Sequence, residues 1–303
     1  MNIIFGPIHS RRFGKSLGVD LSPDKKQCNF DCLYCELDSA KTMDGYEDVV
    51  AVDEIVSALK LALKEHDGVD FITLTANGEP TLYPNLSKLI DEIDKFKGDM
   101  RTLILSNSSK IDEPEVQDSL LKFDEVKLSL DCATQKCLKR LDRSHFSIDV
   151  EKIKSGMLEF KSKYKGSLIV EILVVNKLND NKDEIDKINE YLLKLKPTRI
   201  DIGTIDRPPA FNIKPVTYEK LLEISQLFDS SLPVYIASRK KADIKASSYN
   251  ESQILATLKK RPLTLEDIEA LLDDNSQKIF QNLLKSEQII LVETNAVEFY
   301  KKA

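Results

Sequence analysis

The run Leu17-Gly-Val-Asp-Leu21, followed by Cys28-Asn-Phe-Asp-Cys32-Leu-Tyr-Cys35, decides how the rest of the chain is read. Leu17–Leu21 is short, apolar and β-like, so the cysteines fall in the loop at the C-terminal end of a strand. That end is where α/β barrels carry their active sites. Thiolates at this spacing converge on one centre when the backbone loops around it. Iron–sulfur clusters normally take four cysteine ligands. No fourth lies nearby, since Cys132 and Cys137 are far downstream. A cluster held by three cysteines leaves one iron open to a small-molecule ligand. A structural zinc site is the alternative, with His9 as a distant ligand. Structural zinc usually joins two short Cys-x-x-Cys knuckles, and the chain has no second one.

Outward from this loop, strand-like runs alternate with amphipathic helical ones. The strands are expected at Leu17–Leu21, Val69–Thr75, Thr102–Ser106, Glu125–Leu130, Ser167–Val175 and Arg199–Thr204. The helices are expected at Val52–His66, Asn85–Phe96, Glu115–Phe123, Val150–Tyr164, Lys182–Leu195 and Tyr218–Phe228. Six βα units in succession give a parallel sheet with right-handed crossovers. The arrangement is either doubly wound or a barrel. Polar residues at alternate strand positions (Thr73 and Thr75, Lys127 and Ser129, Glu171) favour a barrel with a partly wet interior, because burying them under helices is costly. We therefore expect an α/β fold, a partial (βα)6 TIM-like barrel over residues 1–246. After Ala246 the pattern changes. Helices at Glu251–Lys260, after the capping-box-like Thr264-Leu-Glu-Asp267, and at Asn275–Glu287 precede a hairpin, Ile289–Glu293 with Ala296–Tyr300. That order is winged-helix-like and sets a second domain at 247–303.

Composition bounds the setting. A chain of 303 residues with 42% hydrophobic and 31% charged residues can bury a sizeable core. No apolar run approaches the roughly 20 residues that span a bilayer. The N-terminal segment lacks a signal-peptide apolar region, so a cytoplasmic protein is expected. An odd cysteine count, clustered as here, makes a poor disulfide framework. The net charge of −6 argues against a large nonspecific nucleic-acid surface. Arg11–Arg12 and the run Arg239, Lys240 and Lys241 are the local basic exceptions. The tail has more acidic than basic groups, and its third helix carries only Lys278 and Lys285. This argues against DNA reading and for a protein-docking or barrel-covering role.

Cys-x3-Cys-x2-Cys with an aromatic residue before the last cysteine resembles the signature of radical S-adenosylmethionine enzymes. The resemblance spans about Phe5 to Phe211. It implies that Cys28, Cys32 and Cys35 bind a 4Fe–4S cluster, whose fourth iron is chelated by the methionyl group of S-adenosylmethionine. It places Tyr34 along the adenine. Asn77-Gly78-Glu79-Pro80-Thr81 is similar to the family's Gly-Gly-Glu-Pro motif, with Asn77 in place of the first glycine, and implies a site for the methionyl amine. There Gly78 permits close backbone approach and Glu79 offers an acceptor. Asn107, Asp131, Glu171 and Asn176 fall at strand ends that the resemblance assigns to the methionyl carboxylate and the ribose. A flavodoxin or ferredoxin is implied as electron donor. The leader Phe5–Asp20 and Ile205-Asp-Arg-Pro-Pro-Ala210 are similar to a subgroup related to wyosine-synthase-type tRNA-modifying enzymes, which brings in tRNA or a small molecule as substrate. That resemblance is incomplete, since no cysteine precedes Cys28. Glycyl-radical activation of a partner protein and a non-catalytic redox or sensor role are the rival readings.

Two residues stand outside these motifs. Cys132, after Asp131 at a strand end, could donate a hydrogen atom to a product radical, or pack with Cys137 as a small hydrophobe. Arg207, before Pro208-Pro209, and the Arg11–Arg12 pair could bind a phosphate or carboxylate, or form structural salt bridges.

Overall fold

Seven parallel strands carry the molecule. They are β2 (Gly14–Asp20), β3 (Phe71–Thr75), β4 (Arg101–Ser106), β5 (Glu125–Ser129), β6 (Ser167–Val174), β7 (Arg199–Thr204) and β8 (Val234–Ile236), hydrogen-bonded in that order. An eighth strand, β1 (Ile4–Ser10), pairs antiparallel with β2 at one edge. In the computed structural model, the described residues are 3–10, 14–236, 246–260, 262–294 and 297–303. Arg11–Arg12, Arg239–Lys241, Arg261 and Asn295–Ala296 lie outside them. Among the described residues β1 and β8 do not pair with each other, so the sheet is an open, partial TIM-like barrel.

Six crossovers link the parallel strands. Single helices make five: α1 (Val52–Glu65), α2 (Leu86–Asp94), α3 (Pro114–Leu120), α6 (Lys182–Leu195) and α7 (Tyr218–Ser225). Between β5 and β6 there are two, α4 (Gln135–Leu141) and α5 (Val150–Lys163). Local chemistry sets their starts. Thr134 caps α4 at the Cys137 N–H, Asp149 caps α5 at Glu151, Asn181 caps α6 at Glu184, and Thr217 caps α7 at Lys220. The helices turn their apolar faces onto the outer side of the strands, where Leu17, Val19, Ile72, Leu74, Ile104, Val126, Leu128, Leu168, Val170, Ile200 and Ile202 are fully buried. No helix among the described residues is long and apolar enough to cross a membrane.

The alternate strand positions face the barrel interior. Phe71, Leu103 and Ile169 form a small apolar layer there. Around it the polar residues are paired. Ser16 Oγ lies 2.6 Å from Thr73 Oγ1. Arg101 bridges Glu125 at 2.7 Å. Lys127 bonds to Glu171 and lies 3.7 Å from Asp201. This is why much of the polar alternation read from the sequence is compatible with burial: Thr73, Lys127 and Glu171 each find a partner on a neighbouring strand.

The C-terminal segment has α8 (Glu251–Lys260), α9 (Leu265–Leu271) and α10 (Asp274–Lys285). They are followed by the antiparallel pair β9 (Ile289–Thr294) and β10 (Val297–Lys302). These elements share a separate apolar cluster that includes Tyr249, Ile254, Leu258, Phe280 and Leu283. Tyr249, buried in that cluster, donates its hydroxyl to the Pro7 carbonyl of β1. The segment is thereby tied to the leader strand.

Candidate active site

The cysteine loop leaves the C-terminal end of β2 and is pinned from three sides. Gln27 is its first anchor. The Gln27 N–H donates to the Asn77 carbonyl at 2.8 Å, and the Gln27 carbonyl accepts from the Glu79 N–H at 3.0 Å. Gly78 makes this approach possible. Its φ is +144°, and a Cβ there would lie 1.9 Å from the Gln27 carbonyl oxygen. The close backbone approach expected of Gly78 is thus made to the cysteine loop. The second anchor is the end of α4, where Asp31 and Leu33 donate to Asp142 and Leu141 at 3.0 and 2.9 Å. The third is the Cys28 carbonyl, which accepts from the Met43 N–H at 2.9 Å.

Cys28, Cys32 and Cys35 are free thiols, each partly exposed. Their surroundings oppose bare thiolates. Burial, then nearby Glu79, pushes the Cys28 thiol up to about 12. Burial, followed by Asp142, raises Cys32. Burial also raises Cys35, against the pull of Lys26. Three thiols in such a place ionise when a cationic centre sits among them. The donor set therefore fits an iron–sulfur cluster. Donors already point at it: the Phe30 N–H lies 3.4 Å and Asn107 Nδ2 3.7 Å from Cys28 Sγ. Lys26 adds a buried cation. Its Nζ bonds Asp31 at 2.9 Å and the Asp38 carbonyl at 3.1 Å. Burial alone would lower its pKa, but Cys35 and Asp31 outweigh it, and the pKa is raised.

The strand-end residues gather around this loop. Asn77 donates its N–H to Asp20 at 2.9 Å. Pro80 opens a short 3-10 turn, Pro80–Leu82, capped by Glu79. The Glu79 carboxylate is only 1% exposed. Its Oε1 accepts from the Thr81 N–H, Thr81 Oγ1 and Ser106 Oγ at 2.9, 2.7 and 2.8 Å, and its Oε2 from the Asn107 N–H at 2.7 Å. Glu79 was expected to offer its acceptor to an ammonium group. Its four donors join the ends of β3 and β4, because the turn at Pro80 folds the side chain inward, and Oε2 takes only the Asn107 N–H. Asn107 does not cap α3; its Oδ1 accepts from the Ser109 N–H at 3.0 Å in a local turn, and its Nδ2 donates to Asn29 at 2.9 Å.

Tyr34 is fixed at its hydroxyl end. Its hydroxyl bonds Asp131 and lies 3.3 Å from Asp142, so the ring is tied down between two carboxylates. Asp131 is buried and accepts from the Leu173 N–H at 2.7 Å. Burial pushes its carboxyl up to about 7. Tyr34, Asp131 and Asn107 line one small cavity with Phe30 and Asp142. Glu171 lies lower, on β6, against Lys127. Asn176 follows β6, and its N–H donates to the Lys214 carbonyl at 3.2 Å.

Cys132 requires a correction. It is joined to Cys137 in a disulfide, with Cα atoms 5.5 Å apart, and so offers no thiol hydrogen in this state. The pairing arises because α4 starts at once after β5, and its first turn brings Cys137 back over Cys132. Neither the cysteine spacing nor the expected helices revealed this turn. Arg207 bridges Glu36 at 3.3 Å, and the Ala210 N–H donates to the Cys35 carbonyl at 2.9 Å, so the segment after β7 docks on the cysteine loop. Arg143, which the sequence reading overlooked, bridges Asp31 at 3.3 Å and lies over the Phe211 ring at 4.9 Å.

A family model for the radical SAM superfamily matches residues 25–192, which takes in the cysteine triad and the Gly-Glu-Pro loop. The chain is 43% identical over 300 residues to a UPF0026 protein of Helicobacter pylori, covering 98% of this chain and 97% of that one. It is 31% identical over 312 residues to a UPF0026 protein of Methanocaldococcus jannaschii, covering 100% and 96%. Among solved structures, a radical SAM methyltransferase from Sphaerobacter thermophilus superposes with a TM-score of 0.57 at 14% identity, covering 74% of this chain and 67% of that one. A likeness at that identity speaks for the fold.

Proposed function

The chain belongs to the radical SAM superfamily, whose members are enzymes that use a 4Fe–4S cluster and S-adenosylmethionine, and on that premise we propose that it cleaves S-adenosylmethionine reductively at the Cys28–Cys32–Cys35 loop to take hydrogen from an RNA or small-molecule substrate. The observation that carries the reading is the triad itself. Three free thiols share one loop, beside the Gly-Glu-Pro turn, while the other two cysteines of the chain are bonded to each other. A cluster so held keeps one iron for a ligand from outside the protein. Bound together, the cluster and S-adenosylmethionine supply one-electron cleavage of the sulfonium and, through it, hydrogen-atom abstraction.

The chain's own residues do the rest. Gln27 and Gly78 hold the cysteine loop against the Gly-Glu-Pro turn. Glu79 fixes the relative height of the β3 and β4 ends. Tyr34, Asp131 and Asp142 brace the loop from behind. The barrel interior, with Lys127, Glu171 and Asp201, offers polar contacts to a substrate. The segment around Arg207 and Phe211 covers the cysteine loop and helps exclude water. Asn176 and Arg207 stand at the rim, where substrate or cofactor contacts are in reach. A flavodoxin or ferredoxin in the cytosol is the natural electron source. Residues 247–303 serve as a winged-helix-like domain that docks protein or covers the barrel; their acidic balance supports this over DNA reading.

The test is anaerobic reconstitution with iron and sulfide. S-adenosylmethionine and dithionite are then added, and 5′-deoxyadenosine is measured. Its formation, dependent on each of the three cysteines, is the expected result. A protein that binds four irons yet never forms 5′-deoxyadenosine would instead favour the redox or sensor role.

A further inference from the structure

The stretch from Lys136 to Ile148 runs along α4 and joins it to α5. Four cations stand in it, Lys136, Lys139, Arg140 and Arg143, against one acid, Asp142. The four cations are exposed and Asp142 is buried. On α5 and α6, Lys154, Lys163, Lys182 and Lys187 each pair with a carboxylate one turn away. Lys136, Lys139 and Arg140 have no such partner among the described residues. Two of them, Lys139 and Arg140, lie in the last turn of α4, where a cation complements the helix dipole. That accounts for neither Lys136 nor the aromatic residue that follows. Phe146 is 85% exposed, yet its loop is ordered. Its ring leans on His145, with centroids 4.2 Å apart, and His145 Nδ1 lies 2.8 Å from Ser147 Oγ. A bare aromatic held in a fixed loop beside unpaired cations has the make-up of a contact surface.

This surface is fastened to the cysteine loop. The His145 N–H donates to the Asn29 carbonyl at 2.8 Å, and the Asp31 and Leu33 N–H groups donate to the Asp142 and Leu141 carbonyls at 3.0 and 2.9 Å. Arg143 Nε lies 3.3 Å from Asp31. Asn29 adjoins Cys28, while Asp31 and Leu33 flank Cys32. The patch is therefore one hydrogen bond removed from the neighbours of two of the three thiols. Its chemistry and place define the occupant. Unpaired cations call for an acidic surface. A nucleic acid draws its affinity from many phosphates neutralised together, and this patch is small, on a chain of net charge −6. Small, charge-steered, transient contacts are the mark of redox partners.

We propose that Lys136, Lys139, Arg140 and Phe146 form the docking surface for an acidic one-electron-carrier protein. The inference rests on the functional reading given above, which requires such a donor without saying where it binds. The carrier gives up one electron to the centre held by Cys28, Cys32 and Cys35 and leaves oxidised by one electron; no bond or proton changes hands at the patch. The cations steer the carrier in, and Phe146 supplies the apolar contact that fixes its approach.

The test uses the reconstituted full-length chain, with a flavodoxin and a ferredoxin as probes. Carrier binding, measured by isothermal titration calorimetry, should weaken as salt is raised. In the triple variant Lys136→Gln, Lys139→Gln, Arg140→Gln, affinity for the carrier should fall by about tenfold. In Phe146→Ser, which leaves α4 untouched and tests the surface independently, it should fall by about fivefold. Iron content, melting temperature and 5′-deoxyadenosine formation with dithionite, a reductant that needs no docking, should match the wild type, so that only the carrier-driven rate falls. Unchanged carrier affinity in both variants, or a wild type that binds neither carrier, would overturn the assignment. Loss of tRNA binding in the variants with carrier binding intact would also overturn it and give the patch to RNA. A wild type that forms no 5′-deoxyadenosine with dithionite, yet binds a carrier through these residues, would sink the functional reading and leave the docking surface standing.

Discussion

Replacing Glu79 with alanine distinguishes a cofactor ligand from a structural clamp. As a simple acceptor for the methionyl amine, Glu79 could be removed with a loss of cofactor affinity and little else. The structure leads to a different result. The carboxylate takes two backbone N–H groups, from Thr81 and Asn107, and two hydroxyls, from Thr81 and Ser106. The hydroxyls can rotate toward other acceptors; the two backbone groups cannot. Each buried donor left unsatisfied costs about 1–3 kcal/mol. Relief of the buried charge offsets part of this, since burial already raises the Glu79 pKa. The net loss is about 2–4 kcal/mol, a large share of a stability of about 5–15 kcal/mol. At roughly 2–4 °C per kcal/mol for a chain of this size, Glu79→Ala should melt on the order of 10 °C below wild type, without cluster or cofactor present. Differential scanning fluorimetry of the metal-free protein reads this directly. A metal-free Glu79→Ala protein that melts with the wild type would refute the clamp.

The other expectations follow from the same geometry. Alanine at Cys28, Cys32 or Cys35 should abolish the visible absorption of the reconstituted cluster, whereas serine at Cys132 and Cys137 together should leave it, as iron and sulfide assays will show. Gly78→Ala puts a Cβ 1.9 Å from the Gln27 carbonyl oxygen at a φ of +144°; it should cost about 2 kcal/mol or more and lower the iron bound per chain, and full iron content with unchanged melting would contradict the packing described. Asp124 accepts from Lys97 Nζ at 2.9 Å and from Thr102 N–H at 2.8 Å. Burial would raise its pKa, but these donors outweigh it and hold the carboxyl below its usual range. Its contribution is therefore present above an unfolded value of about 3.9 and is lost as pH falls through the folded one. Asp124→Asn should flatten that part of the acid-unfolding curve followed by circular dichroism, and an unaltered curve would show that the pairing is stability-neutral.

How much of this was legible in the chain depends on the kind of signal. Strands β3 to β7 and helices α1, α5 and α6 were readable to within a residue or two, because apolar positions on one face of each must meet the core. The edge strand β1 was not, because Gly6-Pro7 reads as a break. An edge strand tolerates proline, and the β1–β2 register shifts between Phe5 and Ile8. Helix α4 has seven residues, too few to show a period; missing it hid the approach of Cys137 to Cys132. That Cys28, Cys32 and Cys35 share one loop at a strand end was legible from their spacing. The direction of the Glu79 side chain was not, since it is set by a turn at Pro80 and by donors on another strand.

The site's electrostatics tie these observations into one physical reading. Glu79 acts on the Cys28 thiol and Asp142 on Cys32, and Lys26 is the cation beside Cys35, Asp31 and Cys28. Folding such a set without a bound group costs free energy, because each anionic form is desolvated and repelled by its neighbours. Proteins keep such arrangements where a ligand repays them. Under the proposed function, iron held by the triad would neutralise the thiolates. The backbone is already shaped for such a group: Gly78 lets the cysteine loop lie against the Gly-Glu-Pro turn, and Gln27 ties that loop to the Glu47 and Asp48 N–H groups. The frame of the site is thus fixed by the chain's own hydrogen bonds, the condition under which binding energy goes into orientation rather than rearrangement.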